Sequence, residues 1–474
     1  MAVRLDPDGL GQALIYPYYT VRASNGNAWN TALSVVNTRA NAKVVKVRFR
    51  EGKHARVVWE ANVYLGPNDV WTAGVVLGSD GAPHLASADR SCIDPPLSAS
   101  DGGAFSTAAF SGAAGDGAGS GTDRLLEGFA EVIEMGTLTG ATAAAVTMQP
   151  GPPSTFNCAL VTGIGKTRGI ANPEGGLSGS AFLINVNSGL SVPYHPIALA
   201  DLTAEPFYSD VGAPGTDYDS PQVTPLSIVT IPPSSANGFG SSPSGYLLRS
   251  NWNRGVDAVS AVLMTATIHN EFVLDSMTAS NTDWIVTLPT ARFYVDGAAT
   301  SGPFDKVFGP SGACEEIDGS TFNREQAIED TGDVGFPEPP PLPPPPALCW
   351  AANAVSYRNG SIHAYTTPTV PSLVLASSNT VALDIVSTFQ DGFVLTSLAP
   401  AGPGLASLSS STAIDLATGN TIVGAHTFGG LPVVGSAAWK FDNGLLNCAG
   451  QACKGSFGAS YSNHFIKSVI RAAP

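Results

Sequence analysis

Residues 43–49 read Lys-Val-Val-Lys-Val-Arg-Phe, and residues 57–65 read Val-Val-Trp-Glu-Ala-Asn-Val-Tyr-Leu. In the first run Val45, Val47 and Phe49 share one face and Lys46 and Arg48 share the other. In the second, Val57, Trp59, Ala61, Val63 and Leu65 fall on one side. Alternation with period two in β-branched and aromatic residues marks half-buried strands. The block predicts an all-β chain built from two or three antiparallel β-sandwich domains of immunoglobulin-like type. Similar alternation is expected at 12–21, 31–37, 70–77, 128–135, 141–148, 181–186 and 192–199. A second strand-rich stretch is expected from 256 to 296, with its core at 283–290 and 291–295. Residues 321–330 suggest a short helix capped by Thr321. Asn25-Gly26, Asn359-Gly360 and Asn443-Gly444 suggest hairpin turns.

Turn-forming residues divide the chain. Gly and Pro are abundant, 52 and 36 of 474 residues, and only 13% of residues are charged. Residues 1–200 form an N-terminal sandwich, interrupted at 98–122 by a Gly/Ala/Ser-rich insertion expected to be flexible. Residues 201–336 form a second β-rich region whose 205–250 portion reads as long surface loops. Residues 337–346 (Pro-Glu-Pro-Pro-Pro-Leu-Pro-Pro-Pro-Pro) predict a polyproline II rod of ~31 Å at 3.1 Å per residue, and 347–474 a C-terminal β-rich domain.

The net charge of −15 argues against general nucleic-acid binding, which requires a surface that neutralises phosphates. No run approaches the ~20 apolar residues of a membrane-spanning helix. Cys92, Cys158, Cys314, Cys349, Cys448 and Cys453 form no zinc or Cys-x-x-Cys pattern. An even, scattered set suits disulfides and an oxidising compartment. Of the 15 pairings that six cysteines allow, the sequential one (92–158, 314–349, 448–453) brackets one irregular stretch per bridge and is preferred. Secretion or display at the cell surface follows, with Met1 standing where a removed secretion signal would have been.

Asn30-Thr31-Ala32-Leu33-Ser34-Val35-Val36-Asn37-Thr38, continued by Lys46-Val47-Arg48-Phe49-Arg50-Glu51-Gly52 and Leu65-Gly66-Pro67-Asn68-Asp69-Val70-Trp71-Thr72, resembles a motif of a group of secreted or surface proteins of proteobacteria. Residues 282–295 resemble a second motif of that group. The resemblance spans about the first two-thirds of the chain. It implies export and brings no catalytic residue with it.

Candidate chemistry is sparse. Gly175-Gly176-Leu177-Ser178-Gly179-Ser180-Ala181, with His195 and Asp201 downstream, is the nearest approach to a serine hydrolase. Ser180 occupies the last glycine position of the G-x-S-x-G pattern, and a strand follows where the elbow needs a helix. The seven histidines (54, 84, 195, 269, 363, 426, 464) show no i, i+4 ligand spacing. Calcium is the one cofactor considered, through the loop carboxylates Asp210, Asp217 and Asp219, and through Asp123 after Gly119-Ser120-Gly121-Thr122. Solvated loop acids are the simpler reading. Tyr16, Tyr18, Tyr19, Trp29, Trp59 and Trp71 offer either a sugar platform or core packing.

The charges are segregated. Arg39, Lys43, Lys46, Arg48, Arg50, Lys53 and Arg56 crowd one hairpin region. Glu315, Glu316, Asp318, Glu325, Glu329, Asp330, Asp333 and Glu338 crowd the segment before the proline run. They read as solvated faces or as complementary patches that join copies head to tail into a ring or filament. The functional expectation is a structural or adhesive surface protein that binds itself or a cell-surface polymer. A secreted hydrolase using Ser178 or Ser180, and a carbohydrate-binding protein, are the alternatives.

Overall fold

The computed structural model describes residues 1–24, 27–97, 103–148, 156–166, 168–233, 238–330, 346–360, 364–366, 370–448 and 451–471. It is all-β and sandwich-like, 46% strand and 8% helix, with several antiparallel sheets and no barrel.

The opening block forms two neighbouring inner strands of the first, eight-stranded sheet. Its order is Arg4–Leu5, Ile197–Ala200, Ala13–Thr20, Glu127–Leu138, Lys43–Glu51, Val57–Leu65, Cys92–Asp94, with Ile170–Ala171 added on Glu127–Leu138. Register follows the alternation: Val45 faces Val63, Val47 faces Ala61 and Phe49 faces Trp59. The second sheet has five strands in the order Leu190–Tyr194, Leu177–Asn185, Asn30–Asn37, Val70–Leu77, Pro83–Ala86. Leu33, Val35, Trp71, Val75, Ala181 and Leu183 from this sheet pack on Leu14, Tyr16, Val45, Val47, Phe49 and Val63 from the first. Burying a large apolar side chain contributes about 1.5–3 kcal/mol, so these inner faces supply the main drive for pairing the sheets.

Strands from both sides of the proline run share sheets. Asn281–Thr287 lies between Ala352–Gly360 and Ser436–Cys448, and Thr267–Val273 lies between Asp391–Leu398 and His464–Ile466. Residues 201–336 and 347–474 therefore interleave in one second sandwich. One face of Asn281–Thr287 sends Trp284 and Val286 into the large core of that half. Its other face sends Ile285 into the core of the first sandwich, and Thr287 Oγ1 donates to the Pro17 carbonyl, 2.6 Å away. Residues 337–345 of the proline run lie outside the described residues, as does the Asn25-Gly26 turn.

Several local expectations are corrected. Residues 140–146 and 255–263 are helices, not strands. The first is an Ala-rich run. The second is buried on every side; its polar positions Asp257 and Ser260 share one face and meet the Tyr294 hydroxyl inside the molecule, at 3.0 and 2.8 Å. Arg292–Val295 is a helical turn rather than a strand. The helix expected at 321–330 is instead the paired strands Glu315–Asn323 and Ile328–Asp330. Asn359-Gly360 ends a strand that pairs in parallel with Thr380–Val386, and Asn443-Gly444 lies inside the strand Ser436–Cys448. The 205–250 loops contain two strands, Leu226–Ile231 and Tyr246–Asn251. Beyond residue 102 the 98–122 insertion is anchored. Phe105 and Phe110 are buried, and the Phe105 ring packs edge-on to Tyr19.

Two disulfides form as expected, Cys92–Cys158 and Cys314–Cys349. The side chains of Cys448 and Cys453 lie outside the described residues.

Candidate functional site

The basic strand is in the interior. Alternation places Val44, Lys46, Arg48 and Arg50 together on the outer face of the first sheet, yet Lys46, Arg48 and Arg50 are 0%, 5% and 1% exposed. A cover laid over that face accounts for this, contributed largely by residues 207–218. Lys46 Nζ donates to the Ser209 and Asp210 carbonyls at 3.0 and 3.1 Å. Burial pushes its ammonium down to about 8. Arg48 pairs with Glu60 at 2.8 Å and donates to the Thr216 carbonyl. Arg50 pairs with Glu131 at 2.5 Å and donates to the Ala55 carbonyl at 2.9 Å. Asp217 closes the network against Arg50, Arg48 and Arg292. Burial alone would raise its carboxyl, but these three cations hold it down to about 2.

The rest of the basic cluster is also engaged. Lys43 points to the opposite face and pairs with Glu134 at 2.5 Å, both fully buried. Lys53 donates to the Ala118 carbonyl at 2.8 Å, its ammonium 4.9 Å from the Trp350 ring centre. Arg56 faces Asp296 at 3.6 Å. On the acidic side Glu315 is buried and accepts from the Asp305 and Lys306 amides; burial raises its carboxyl to about 7. Glu316 and Asp318 are exposed, and the side chains of Glu329 and Asp330 lie outside the described residues. The expected basic patch is not a surface patch at its centre: Lys43, Lys46, Arg48 and Arg50 are buried, Lys53 and Arg56 are half-buried, and Arg39 alone of the cluster is exposed.

The other expected sites do not assemble. Asp210 accepts from Tyr208 Oη and the Gly165 amide, both at 3.0 Å. Asp219 faces Arg254 at 3.9 Å, and Asp123 pairs with Arg22 at 2.9 Å. Among the described residues no three His, Cys, Asp or Glu side chains cluster as a cation site. Ser180 and His195 reach the same cleft, but the Ser180 hydroxyl meets that of Ser34 at 3.0 Å, while His195 Nδ1 lies 3.4 Å from the Gly179 carbonyl. Asp201 pairs with Arg4 at 3.0 Å. The glycines of the motif serve the backbone instead. Gly175 and Gly176, at φ +67° and +81°, turn the chain into its strand, and a Cβ on Gly179 would collide with Tyr16 Oη. Tyr16, Tyr18, Tyr19, Trp29, Trp59 and Trp71 are all buried, so they form core and not a sugar platform.

What the molecule does present is the outer face of the second sheet. Ser178, Ser180, Phe182 and Ile184 stand beside Val36, Ser34, Ala32 and Asn30. Val36, Ser34 and Ala32 in turn stand beside Val70, Thr72 and Gly74. Ser191 and Pro193 continue the face on one side, and His84 and Ala86 on the other. None of these positions is Lys, Arg, Asp or Glu, in a chain of net charge −15. Phe182 and Val76 are 41% and 38% exposed. The signal was present in the sequence, since both alternating sets of 30–36, 70–76 and 178–184 lack charge.

At one margin the face runs into a cleft of about 430 Å³ lined by Ser180, Phe182, Pro193, His195, Tyr461 and Phe465. Tyr461 also borders a second cavity of about 550 Å³ with His269, Glu271, Phe393 and His464. No helix among the described residues is long and apolar enough to cross a membrane. No family model, no curated protein and no solved structure matches this chain.

Proposed function

We propose that this protein is an extracellular structural or adhesive component that associates with a second copy of itself through the uncharged outer face of the second sheet. The observation that carries the reading is the contrast between that face and the rest of a strongly acidic chain. Copies of net charge −15 repel each other least where no charge is presented. The two disulfides are compatible with an oxidising, extracellular setting, and the resemblance at 30–38 and 46–52 points the same way.

Geometry sets the kind of assembly. Five strands of four to nine residues, at ~3.3 Å per residue and ~4.8 Å spacing, give roughly 540 Å² per copy. About 1,100 Å² in total lies just below the standard range of specific interfaces, which suits a weak, reversible dimer. A face that packs on its own copy is isologous and closes at two, so this reading replaces the filament with a dimer. Sedimentation equilibrium across a concentration series tests it. A dimer that dissociates when Ser34→Glu and Thr72→Glu are combined is expected. A wild-type protein that remains monomeric at high concentration would sink the proposal.

A second reading, docking of a neutral surface polymer, draws on the cleft at the margin of the same face. Exposed Phe182 and Tyr461 beside serine hydroxyls suit the apolar and polar faces of a sugar. Retardation in gels containing a neutral polysaccharide, lost in Tyr461→Ala, would favour it over the dimer.

A further inference from the structure

We infer that His269 and His464 form a surface site for a divalent transition ion of the Zn²⁺/Cu²⁺ class. The two residues are far apart in sequence, which is why spacing gave no ligand signal, but they are register partners across the antiparallel pair Thr267–Val273 and His464–Ile466. Their rings stand face to face, 4.9 Å between centroids and 11° from parallel. Both open onto the cavity of about 550 Å³ that Glu271 also lines.

The placement is fixed from below. Asn270 follows His269 and Asn463 precedes His464, so both amide side chains project to the inner side of the sheet. Asn270 Nδ2 donates to Asn463 Oδ1 at 2.9 Å, and both residues are at most 5% exposed. This buried bridge holds the two strands in the register that presents the imidazoles together. Such an underlying contact fixes the backbone positions from which both imidazoles project.

The ion class follows from the donors. Imidazole nitrogen suits Zn²⁺, Cu²⁺ and Ni²⁺, whereas Ca²⁺ and Mg²⁺ require oxygen sets. Metal–nitrogen bonds of about 2.0–2.1 Å put two ligating nitrogens at most ~4.2 Å apart. Rings 4.9 Å apart reach that separation by rotation about χ2, a broad torsion, without moving the backbone. Two imidazoles leave the other coordination positions to water or to an incoming ligand. The carboxylate of Glu271, exposed on the same face, adds a favourable potential for a cation.

The test uses the tag-free, full-length protein titrated with Cu²⁺ under electron paramagnetic resonance, and with Zn²⁺ by calorimetry. One equivalent bound per chain, with two nitrogen donors in the Cu²⁺ spectrum, is expected. His269→Ala or His464→Ala alone should weaken binding by at least ~10–100-fold, the loss typical of even outer-shell changes. His269→Gln and His464→Gln serve as second variants if the alanine proteins fail to fold, with circular dichroism as the check. Binding that is unchanged when both histidines are replaced, or absence of binding to the wild-type chain, would overturn the assignment.

Discussion

The outer faces of the two sheets of the first sandwich invert the usual arrangement. On the first sheet, Lys46, Arg48, Arg50, Glu60 and Glu131 crowd a face that residues 207–218 and Arg292 seal from water. On the second, Ala32, Ser34, Val36, Thr72, Gly74, Ser180 and Phe182 crowd a face that stays open. Charge marks the closed surface and its absence marks the open one. The lesson is that alternation determines which residues share a face, while the loops decide which face meets solvent.

Reversing Lys46, Arg48 and Arg50 to glutamate together should break the contrast most severely. Each reversal places a buried carboxylate against Glu60, Glu131 or Asp217 or against a backbone carbonyl. Removing one partner of a buried pair costs about 3–5 kcal/mol, and three such losses, about 9–15 kcal/mol, are as large as a typical total stability of ~5–15 kcal/mol. The expected result is no cooperative urea transition. A folded triple variant would show that the cover lifts easily.

A second variant loosens the cover from its edge. Cys92 lies in an edge strand and Cys158 opens the short helix Cys158–Val161, packed with Val44, Tyr64, Met135 and Leu138. Their bridge closes a separation of 66 residues. Replacing both by serine should cost about 4 kcal/mol by the chain-entropy relation, read from denaturant midpoints. The open face of the second sheet should retain its dimer constant in the folded fraction.

The pH dependence of Lys46 sharpens the comparison further. Burial lowers its ammonium to about 8 from an ordinary 10.5, so the folded state favours the neutral amine. Its contribution is fully present above pH 10.5 and is lost as pH falls through about 8. That decline amounts to roughly 3 kcal/mol at ~1.36 kcal/mol per pH unit of displacement. Lys46→Met should flatten the stability profile between pH 8 and 10.5 relative to wild type; parallel profiles would show that water reaches the ammonium.

The smallest effect belongs to the open face. Thr72→Glu alone should change stability by no more than ~0.5 kcal/mol, as for an ordinary surface site, in contrast to any charge change beneath the cover. A loss of several kcal/mol would reveal hidden packing there.

Much of this architecture could be read from residues alone. Val45, Val47 and Phe49 against Ala61 and Val63 specify both strands and their shared inner face, and the bracketing cysteines specify both bridges. The cover could not be read, because the groups that hold Lys46 and Arg48 include the carbonyls of Ser209, Asp210 and Thr216. A backbone carbonyl has no letter in a sequence, and its Pro/Gly/Ser/Asp-rich segment reads as solvent-facing loop. The helix Gly255–Leu263 was missed because a short run rich in Val and Ala reads equally well as a buried strand. The open face was legible in hindsight as two alternating sets without charge. The His269–His464 pair was not, since a register between strands so distant in sequence cannot be inferred from spacing.

The large core has a consequence in time. Val3, Ala13 and Ile15 sit in the same continuous apolar cluster as Val433, Val434 and Val469. A growing chain cannot close that cluster until the strands around Val434 and Val469 have left the ribosome. Until then strand edges and apolar faces stand open to other chains, the condition in which β proteins aggregate. Long-range pairing of this kind places folding in the slow regime, from milliseconds to seconds or beyond. The cluster is thus assembled late, and the strands around Val3 and Ile15 wait for those around Val434 and Val469.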